Sequence, residues 1–363
     1  MIPTTKAPIS NQQKIELIHR IENYLTSKYS VSCGRDSNET EYDSIFDFWI
    51  DRNLIHQQGE EEDDDIDGNE LEYEQQQEEE GPSSSSSWYK QSHEYWQNTN
   101  HAPPTIDGML GGFAILSDRD IQASRDFILY IIHHSKYCNS LKEEEEEREI
   151  INDDNNNNDI ENCDKIDSSH TRYFANTRSC ECGAGIGRIT KLLLLPLGIS
   201  NCDLVETSPR LIEYAPVYIG KEEDVKRCNF ICQGLQDFHP SVISSSSSSS
   251  KNNNGCYDII WIQWVIGYLT DWDLVSFLRR MGKSLKPGGL IIIKDNTCNE
   301  MAFLADCGDS DITRSYQYLM AIVKESGMRI AKDDKGEELI RWQDDFPDDI
   351  WPVPMIALEN DIL

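Results

Sequence analysis

The sequence is poor in basic residues, because its 363 residues include 33 lysines and arginines against 65 aspartates and glutamates. It shows no basic patch, so a nucleic-acid partner is not expected. Much of the acidic excess lies in two stretches. Glu60–Glu80 contains 13 acidic and no basic residues, and Glu143–Asp164 is also strongly acidic, with Arg148 as its one basic residue. Such charge runs favour solvated disorder, so the rest of the chain is expected to carry an ordinary surface charge.

The sequence also lacks the signals of secretion, membrane insertion and structural metal binding. Its first ten residues, MIPTTKAPIS, contain no apolar core of a secretory signal. The longest apolar runs, such as the one beginning at Leu290, are far too short to cross a bilayer. The eleven cysteines form no repeated CxxC pairs and have no histidine cluster beside them, so no metal site is expected. These absences predict an intracellular protein of the cytoplasm or nucleus without membrane contact.

Composition divides the chain into folded and unfolded parts. Apolar residues at Ile15, Ile18 and Ile21 have helical spacing, and a second helix is predicted over Tyr42–Ile55. Serine tracts and acidic runs cannot bury enough apolar surface to fold. We therefore predict a helical N-terminal extension (1–57), a disordered acidic and serine-rich linker (58–87), and a folded domain (88–363) with disordered inserts at 143–168 and 244–255.

The folded domain combines helices near its start with a strand–helix alternation further on. An aromatic helix begins at Trp88, and a loop rich in proline and glycine, HAPPTIDGMLGGF, follows it. An amphipathic helix then begins at Ser117, the expected N-cap, with Asp120 three residues on. From Arg178, short apolar strands alternate with amphipathic helices. This alternation predicts an α/β fold, Rossmann-like, with helices on both faces of a parallel sheet.

The first strand of this alternation leads into a glycine-rich turn, ECGAGIGRITK. Gly183, Gly185 and Gly187 allow a ligand to approach the backbone closely. No Gly-Lys-Ser/Thr follows, so the turn is not a P-loop. Its spacing is GxGxG, whereas a dinucleotide site prefers GxGxxG. Glu206, at the end of the second strand, can accept hydrogen bonds from ribose hydroxyls, which fits NAD and S-adenosylmethionine equally well.

Later residues favour S-adenosylmethionine. Arg188 follows the glycines and can pair with a carboxylate, a group that S-adenosylmethionine carries. Gln236 and Asp237, in GLQDF after the third strand, offer polar contacts for an adenine edge. The segment LKPGGLIIIKDN is also typical of methyltransferases. Taken in order, these features predict a cofactor site for methyl transfer.

Five segments closely resemble the protein N-terminal Xaa-Pro-Lys N-methyltransferases: WYKQSHEYWQNTNHAPPTIDGMLGGF, CGAGIGRITKLLLLPL, GLQDF, YDIIWIQWVIGYLTD and LKPGGLIIIKDN. DGMLGG and WIQWVIG are the parts specific to that family. The resemblance covers roughly residues 88–358. It implies a seven-stranded class I fold, S-adenosylmethionine as cofactor, and the N-termini of substrate proteins as partners. The methyl acceptor would be the α-amino group of an exposed X-Pro-Lys sequence.

The resemblance also implies roles for particular residues. Those matching the family's cofactor contacts are Gly183, Gly185, Arg188, Glu206, Leu235, Gln236 and Gln263. The channel that takes the peptide and its proline would be lined by Trp96, Leu110 and Trp264. Asn296 would anchor the substrate, and Asp306 and Asp309 would face the incoming amine and lysine.

Three positions depart from the family pattern. Tyr268 stands where the family has a proposed general-base histidine, Glu181 replaces an aspartate, and Trp351 replaces an expected tyrosine. A phenol has a pKa of about 10 and is a poor base near pH 7, so Asp309 is expected to hold the ammonium and relay its proton. Tyr268 either hydrogen-bonds the amine or packs as an ordinary aromatic. Two other functions stay open: a catalytically weakened, cofactor-binding partner protein, and a small-molecule methyltransferase.

Overall fold

The computed structural model describes residues 9–28, 34–56, 84–134, 174, 176–240, 255–347 and 350–361. Most of the predicted disordered linker and inserts lies outside these residues. The exceptions are Ser84–Ser87, which begin a helix, and Gly255. No helix in the described ranges has both the length and the apolar character needed to cross a membrane.

The helices in the described part of the chain include most of those that the sequence predicts. Several begin at a serine or threonine whose side chain accepts a backbone N–H bond, as Ser44, Ser208 and Thr270 do. The helices are α1 (Asn11–Lys28), α2 (Ile45–Asp51), α3 (Ser84–Gln97), α4 (Ile106–Met109), α5 (Ser117–His134), α6 (Pro209–Ile219), α7 (Glu222–Val225), α8 (Asp271–Lys283) and α9 (Tyr316–Glu325). A short π-helical segment, Thr190–Leu194, follows the glycine-rich turn.

The strands form two sheets. They are β1 (Gly34–Asp36), β2 (Glu41–Tyr42), β3 (Arg178–Cys182), β4 (Asn201–Glu206), β5 (Cys228–Cys232), β6 (Tyr257–Gln263), β7 (Leu285–Lys294), β8 (Phe303–Asp306), β9 (Asp311–Arg314), β10 (Met328–Ile330), β11 (Ile340–Gln343) and β12 (Val353–Asn360).

The larger sheet has the order β10-β12-β7-β6-β3-β4-β5, and β11 adds to it by pairing with β12. The strands from β7 to β5 run parallel, whereas β12 is antiparallel to β7. On β6, Ile260 and Ile262 pack into one apolar core and Trp261 packs into the other, as the two-residue period of a strand requires. The prediction of an α/β class I methyltransferase fold is confirmed, with eight strands in the sheet.

The N-terminal extension contributes strands as well as helices. Strand β1 pairs in parallel with β8 and extends the smaller sheet to β2-β1-β8-β9. The second predicted helix is shorter than expected, because Tyr42 belongs to β2 and Ser44 caps α2. From α1, Ile18 and Ile21 are fully buried in the same apolar core as side chains of β8 and α9. The extension therefore packs directly on the methyltransferase fold.

We expect Ile21→Val to lower the free energy of unfolding by about 1 kcal/mol, because it removes one methylene group from a closely packed site. Glu16→Ala, on the exposed face of the same helix, is the control and should change it by less than about 0.5 kcal/mol. Denaturant unfolding of both variants tests this. Equal, negligible effects would show that α1 does not share the main core.

Candidate functional site

The glycine-rich turn lies at the carboxyl end of β3, at the edge of the sheet where open α/β folds bind ligands. Gly183 has φ +70° and Gly185 has φ +53°, conformations that favour glycine. A Cβ atom on Gly183 would lie 2.6 Å from the Val265 side chain, and one on Gly185 would lie 2.6 Å from the Met109 Sδ. The turn therefore has no room for larger side chains, and its backbone forms part of a cavity wall.

This cofactor cavity has a volume of about 1030 Å³ when the solvent at its open mouth is included. The structure brings together all seven of the predicted cofactor residues in its lining: Gly183, Gly185, Arg188, Glu206, Leu235, Gln236 and Gln263. Glu206 is held by backbone N–H groups of Gly185, at 2.9 Å, and Ser208, at 2.8 Å. Burial raises the pKa of Glu206. Asp237, the other predicted adenine contact, is exposed and does not line this cavity.

A buried ionic cluster adjoins the cofactor cavity. The Asp120 carboxylate lies 2.7 Å from Nη2 of Arg188 and 2.5 Å from Nζ of Lys294. Gln263 also donates to Asp120, at 2.8 Å. Burial raises the pKa of Glu181, which also lines this cavity, to about 7 despite hydrogen bonds from Thr190. Arg188 lines the cofactor cavity while Asp120 holds it from behind, so its guanidinium can also pair with the carboxylate of S-adenosylmethionine.

The structure corrects the predicted role of Ser117 and Asp120. Ser117 does not cap a helix, because a 3-10 turn (Ala114–Leu116) runs directly into α5 and Ser117 has helical angles. Asp120 is completely buried and binds the two cations instead. A signal was present in the sequence: Asp120 and Ser124 are four residues apart and share a helix stripe with the buried Phe127.

A second cavity, the substrate cavity, lies beside the first and has a volume of about 1460 Å³ when the solvent at its open mouth is included. The two cavities share five wall residues: Trp96, Met109, Leu110, Trp264 and Tyr268. The predicted channel residues Trp96, Leu110 and Trp264 therefore stand between the cavities. Asn296 and Trp351 also line the substrate cavity.

Trp264 is held in an unusual state. Its φ of +51° is rare for a bulky residue, and its indole nitrogen is buried without a hydrogen-bond partner among the described residues. The Arg188 guanidinium lies 5.6 Å from the ring centroid. Strained backbone of this kind concentrates at ligand sites, where the surrounding structure compensates for its cost. Trp264 is thus fixed between the cofactor and substrate cavities.

Tyr268 is a hydrogen-bond donor at this site. Its hydroxyl donates to Oδ2 of Asp309 at 3.0 Å, and its ring packs edge-on against Trp96. Burial, together with the charges of Asp311 and Asp309, raises the pKa of Tyr268 well above its usual value. A phenol in this state does not accept a proton from an amine, so Tyr268 does not replace a basic histidine chemically.

The predicted acidic pair does not face the substrate cavity as a pair. Asp309 lies behind Tyr268, its Oδ1 is buried without a partner among the described residues, and burial raises its pKa to about 6. Asp306 is exposed and lines a smaller crevice with Arg52 and Cys307. The carboxylates that do line the substrate cavity belong to Asp295 and Asp311, neither of which we predicted from the sequence.

Replacing Arg188 tests the cofactor cavity. We expect Arg188→Ala to weaken S-adenosylmethionine binding by roughly 10- to 100-fold, since a charge-assisted contact contributes about 1.5–3 kcal/mol. Calorimetric titration measures this, and Arg279→Ala, on the exposed side of α8, is the control. Unchanged affinity in both variants would rule out Arg188 as a cofactor contact.

Comparisons with known proteins agree with this geometry. The family model described as AdoMet dependent proline di-methyltransferase matches residues 84–145 and 174–359. The mouse N-terminal Xaa-Pro-Lys N-methyltransferase 1 is 34% identical over 270 residues, which cover 74% of this chain and 94% of the mouse protein. The human protein of the same name is 35% identical over the same shares.

A solved structure of a SAM-dependent methyltransferase from Leishmania major is also similar to this chain. It is 27% identical, has a TM-score of 0.60, and the match covers 91% of this chain and 96% of that one. Its coverage exceeds that of the curated relatives, which leave about a quarter of this chain unmatched. The sequence matches and the shared fold lead to one conclusion: the chain belongs to the AdoMet-dependent proline di-methyltransferase family and is an S-adenosylmethionine-dependent methyltransferase.

Proposed function

We propose that this enzyme methylates the α-amino group of proteins that expose an N-terminal Xaa-Pro-Lys sequence. The observation that carries the proposal is the common wall of the cofactor and substrate cavities. Because the two cavities adjoin, an amine bound in the substrate cavity would lie next to a methyl donor bound in the cofactor cavity. The Xaa-Pro-Lys sequence in the proposal comes from the names of the mouse and human relatives.

The shape of the substrate cavity suits a proline near the N-terminus of a peptide. Flat indole rings of Trp96 and Trp264 form its inner wall, and Phe113 and Trp351 lie among its outer residues. A proline ring is rigid and apolar, so it loses little conformational entropy when it packs against such surfaces. The cavity is also open enough for a chain to continue outward, since Trp351 remains 41% exposed.

The polar groups of the cavity suit a cationic N-terminus. Asp311 and Asp295 line it, and Asp309 lies directly behind Tyr268. The Asn296 side chain adds an amide that can both donate and accept. Near pH 7 the charges of Asp295 and Asp309, whose pKa values burial raises only to about 6, favour an α-ammonium group and a lysine at position three over neutral or acidic N-termini.

The residues of the chain contribute mainly by positioning. S-adenosylmethionine supplies a methyl group on a sulfonium, and the amine nitrogen must approach it as a neutral base. An α-amino group has a pKa of about 7.7–8.0, so a usable fraction is neutral near pH 7. Holding the amine in line can supply roughly 7–11 kcal/mol of the barrier. Trp96, Leu110 and Trp264 would provide that alignment and exclude water.

Mass spectrometry of peptide products tests the proposal. We expect a Ser-Pro-Lys peptide to gain methyl groups at its α-amine when incubated with the protein and S-adenosylmethionine, whereas the same peptide with an acetylated N-terminus should not. A Ser-Pro-Gln peptide should react more slowly, because it lacks the lysine cation. A protein that binds S-adenosylmethionine but modifies none of these peptides would contradict the proposal.

A further inference from the structure

Asp311 occupies a special position in the substrate cavity. It is the first residue of β9, and its carboxylate lies over the backbone of Gly267: a Cβ atom at Gly267 would be 1.7 Å from Oδ1 of Asp311. Only glycine at 267 leaves room for this carboxylate. The next residue, Tyr268, lines both cavities. Asp311 therefore lies in the substrate cavity, close to Tyr268, which is one of the residues that line both cavities.

The other charged residues that line the substrate cavity, Asp295 and Arg314, already have partners. Asp295 accepts the backbone N–H groups of Val265 and Ile266, at 3.0 and 3.1 Å. Arg314 donates to Asp271 at 2.9 Å and to the carbonyls of Ile266 and Leu269. By contrast, no donor within the described ranges hydrogen-bonds the Asp311 carboxylate. It is an acceptor in a cavity, available to a cationic ligand.

We propose that Asp311 binds the α-ammonium group of the substrate and accepts its proton, as the catalytic base of the methylation proposed above. In this step an N–H bond of the ammonium breaks, its electron pair stays on nitrogen, and an O–H bond forms on Asp311. That electron pair then forms the bond to the transferred methyl carbon as the bond from sulfur to that carbon breaks. The inference rests on the proposed function. It assigns the proton of the substrate ammonium to Asp311, which lies outside the predicted pair of Asp306 and Asp309.

The electrostatics of the loop fit this role. Burial, with repulsion from Asp309, Asp295 and Asp306 outweighing the attraction of Arg314, raises the pKa of Asp311 to about 8. That value matches the pKa of about 7.7–8.0 of an α-amino group, and proton transfer between matched groups has little free-energy cost. Asp309 has a lower pKa, about 6, and accepts a hydrogen bond from Tyr268. Asp309 therefore stays negatively charged beside Tyr268, while Asp311 exchanges a proton with the substrate amine.

Asp311→Asn separates the proton step from substrate binding. With a Ser-Pro-Lys peptide at pH 7, kcat/KM should fall by about 10-fold, because only about a tenth of the α-amine is neutral at that pH without a base. The loss should shrink steadily as pH rises to about 9.5, because the amine is then mostly neutral in solution and needs no base. Glu300→Gln, an exposed carboxylate before β8, is the control and should follow the wild-type profile. Asp311→Ser should behave like Asp311→Asn and provides a second test if the amide variant fails to fold.

The outcomes are distinguishable. S-adenosylmethionine affinity within about twofold of wild type shows that a variant is folded. A folded Asp311 variant with wild-type kcat/KM, or with the same fold loss at every pH, would overturn the inference. The inference also fails if the loss disappears with a Ser-Pro-Gln peptide, since Asp311 would then bind the lysine. If the wild-type protein itself methylates no peptide, the proposed function fails instead.

Discussion

Asp120→Ala is expected to lower the free energy of unfolding by about 3–5 kcal/mol, because it leaves buried cations without their carboxylate. Arg188 and Lys294 both contact Asp120, and Lys294 is completely buried. Burial already lowers the pKa of Lys294, and Asp120 is the main group opposing that shift. Without the Asp120 carboxylate, Lys294 keeps neutral hydrogen-bond acceptors such as Ser124 and Gln343, so it must lose its proton or stay charged without that counter-charge, and both cost free energy. Denaturant unfolding at pH 7 measures the change.

Asp118→Ala provides the matched control for this prediction. Asp118 lies two residues earlier in α5 but is exposed, so its loss should change the stability by less than about 0.5 kcal/mol. Similar, small changes in both variants would mean that the ionic cluster contributes little to the folded state. A large loss confined to Asp120→Ala would show that this carboxylate stabilises the fold through the buried cations that it contacts.

Asn296→Lys should abolish peptide methylation while leaving the fold intact. Asn296 is half-buried in the wall of the substrate cavity, where Asp311 also lies. A lysine there would place its own ammonium where the substrate cation must bind and would repel it. We expect kcat/KM for a Ser-Pro-Lys peptide to fall by at least about 100-fold, which corresponds to roughly 2.7 kcal/mol of transition-state binding. S-adenosylmethionine affinity should stay within a few-fold of wild type.

Asn299→Lys introduces the same charge three residues away, at an exposed position outside the cavity. It should retain nearly full activity. Comparable losses in both variants would indicate a general effect of added positive charge. An active Asn296→Lys enzyme would remove Asn296 from the substrate site and would weaken the assignment of the second cavity to the peptide.

The parallel sheet and the cofactor turn could be predicted from the sequence because their signals are local. Alternating apolar strands and helices determine the sheet, and a glycine that must adopt positive φ marks the turn that follows β3. Glu206 and Gln263 end β4 and β6. Parallel strands end at one edge of the sheet, and these two side chains meet there, although the sequence indicated Gln263 only through the family resemblance.

Tertiary structure alone decided the charged partners and the acidic face of the substrate cavity. Lys294 bonds to Asp120 across 174 positions of sequence, and β1 joins β8 from the far N-terminal part of the chain. In the β8–β9 hairpin, the backbone turns Asp306 outward, Asp309 behind Tyr268 and Asp311 into the cavity. Local patterns specify backbone periodicity, whereas the environment of a charge depends on which distant segments pack around it, and that is set only when the chain folds.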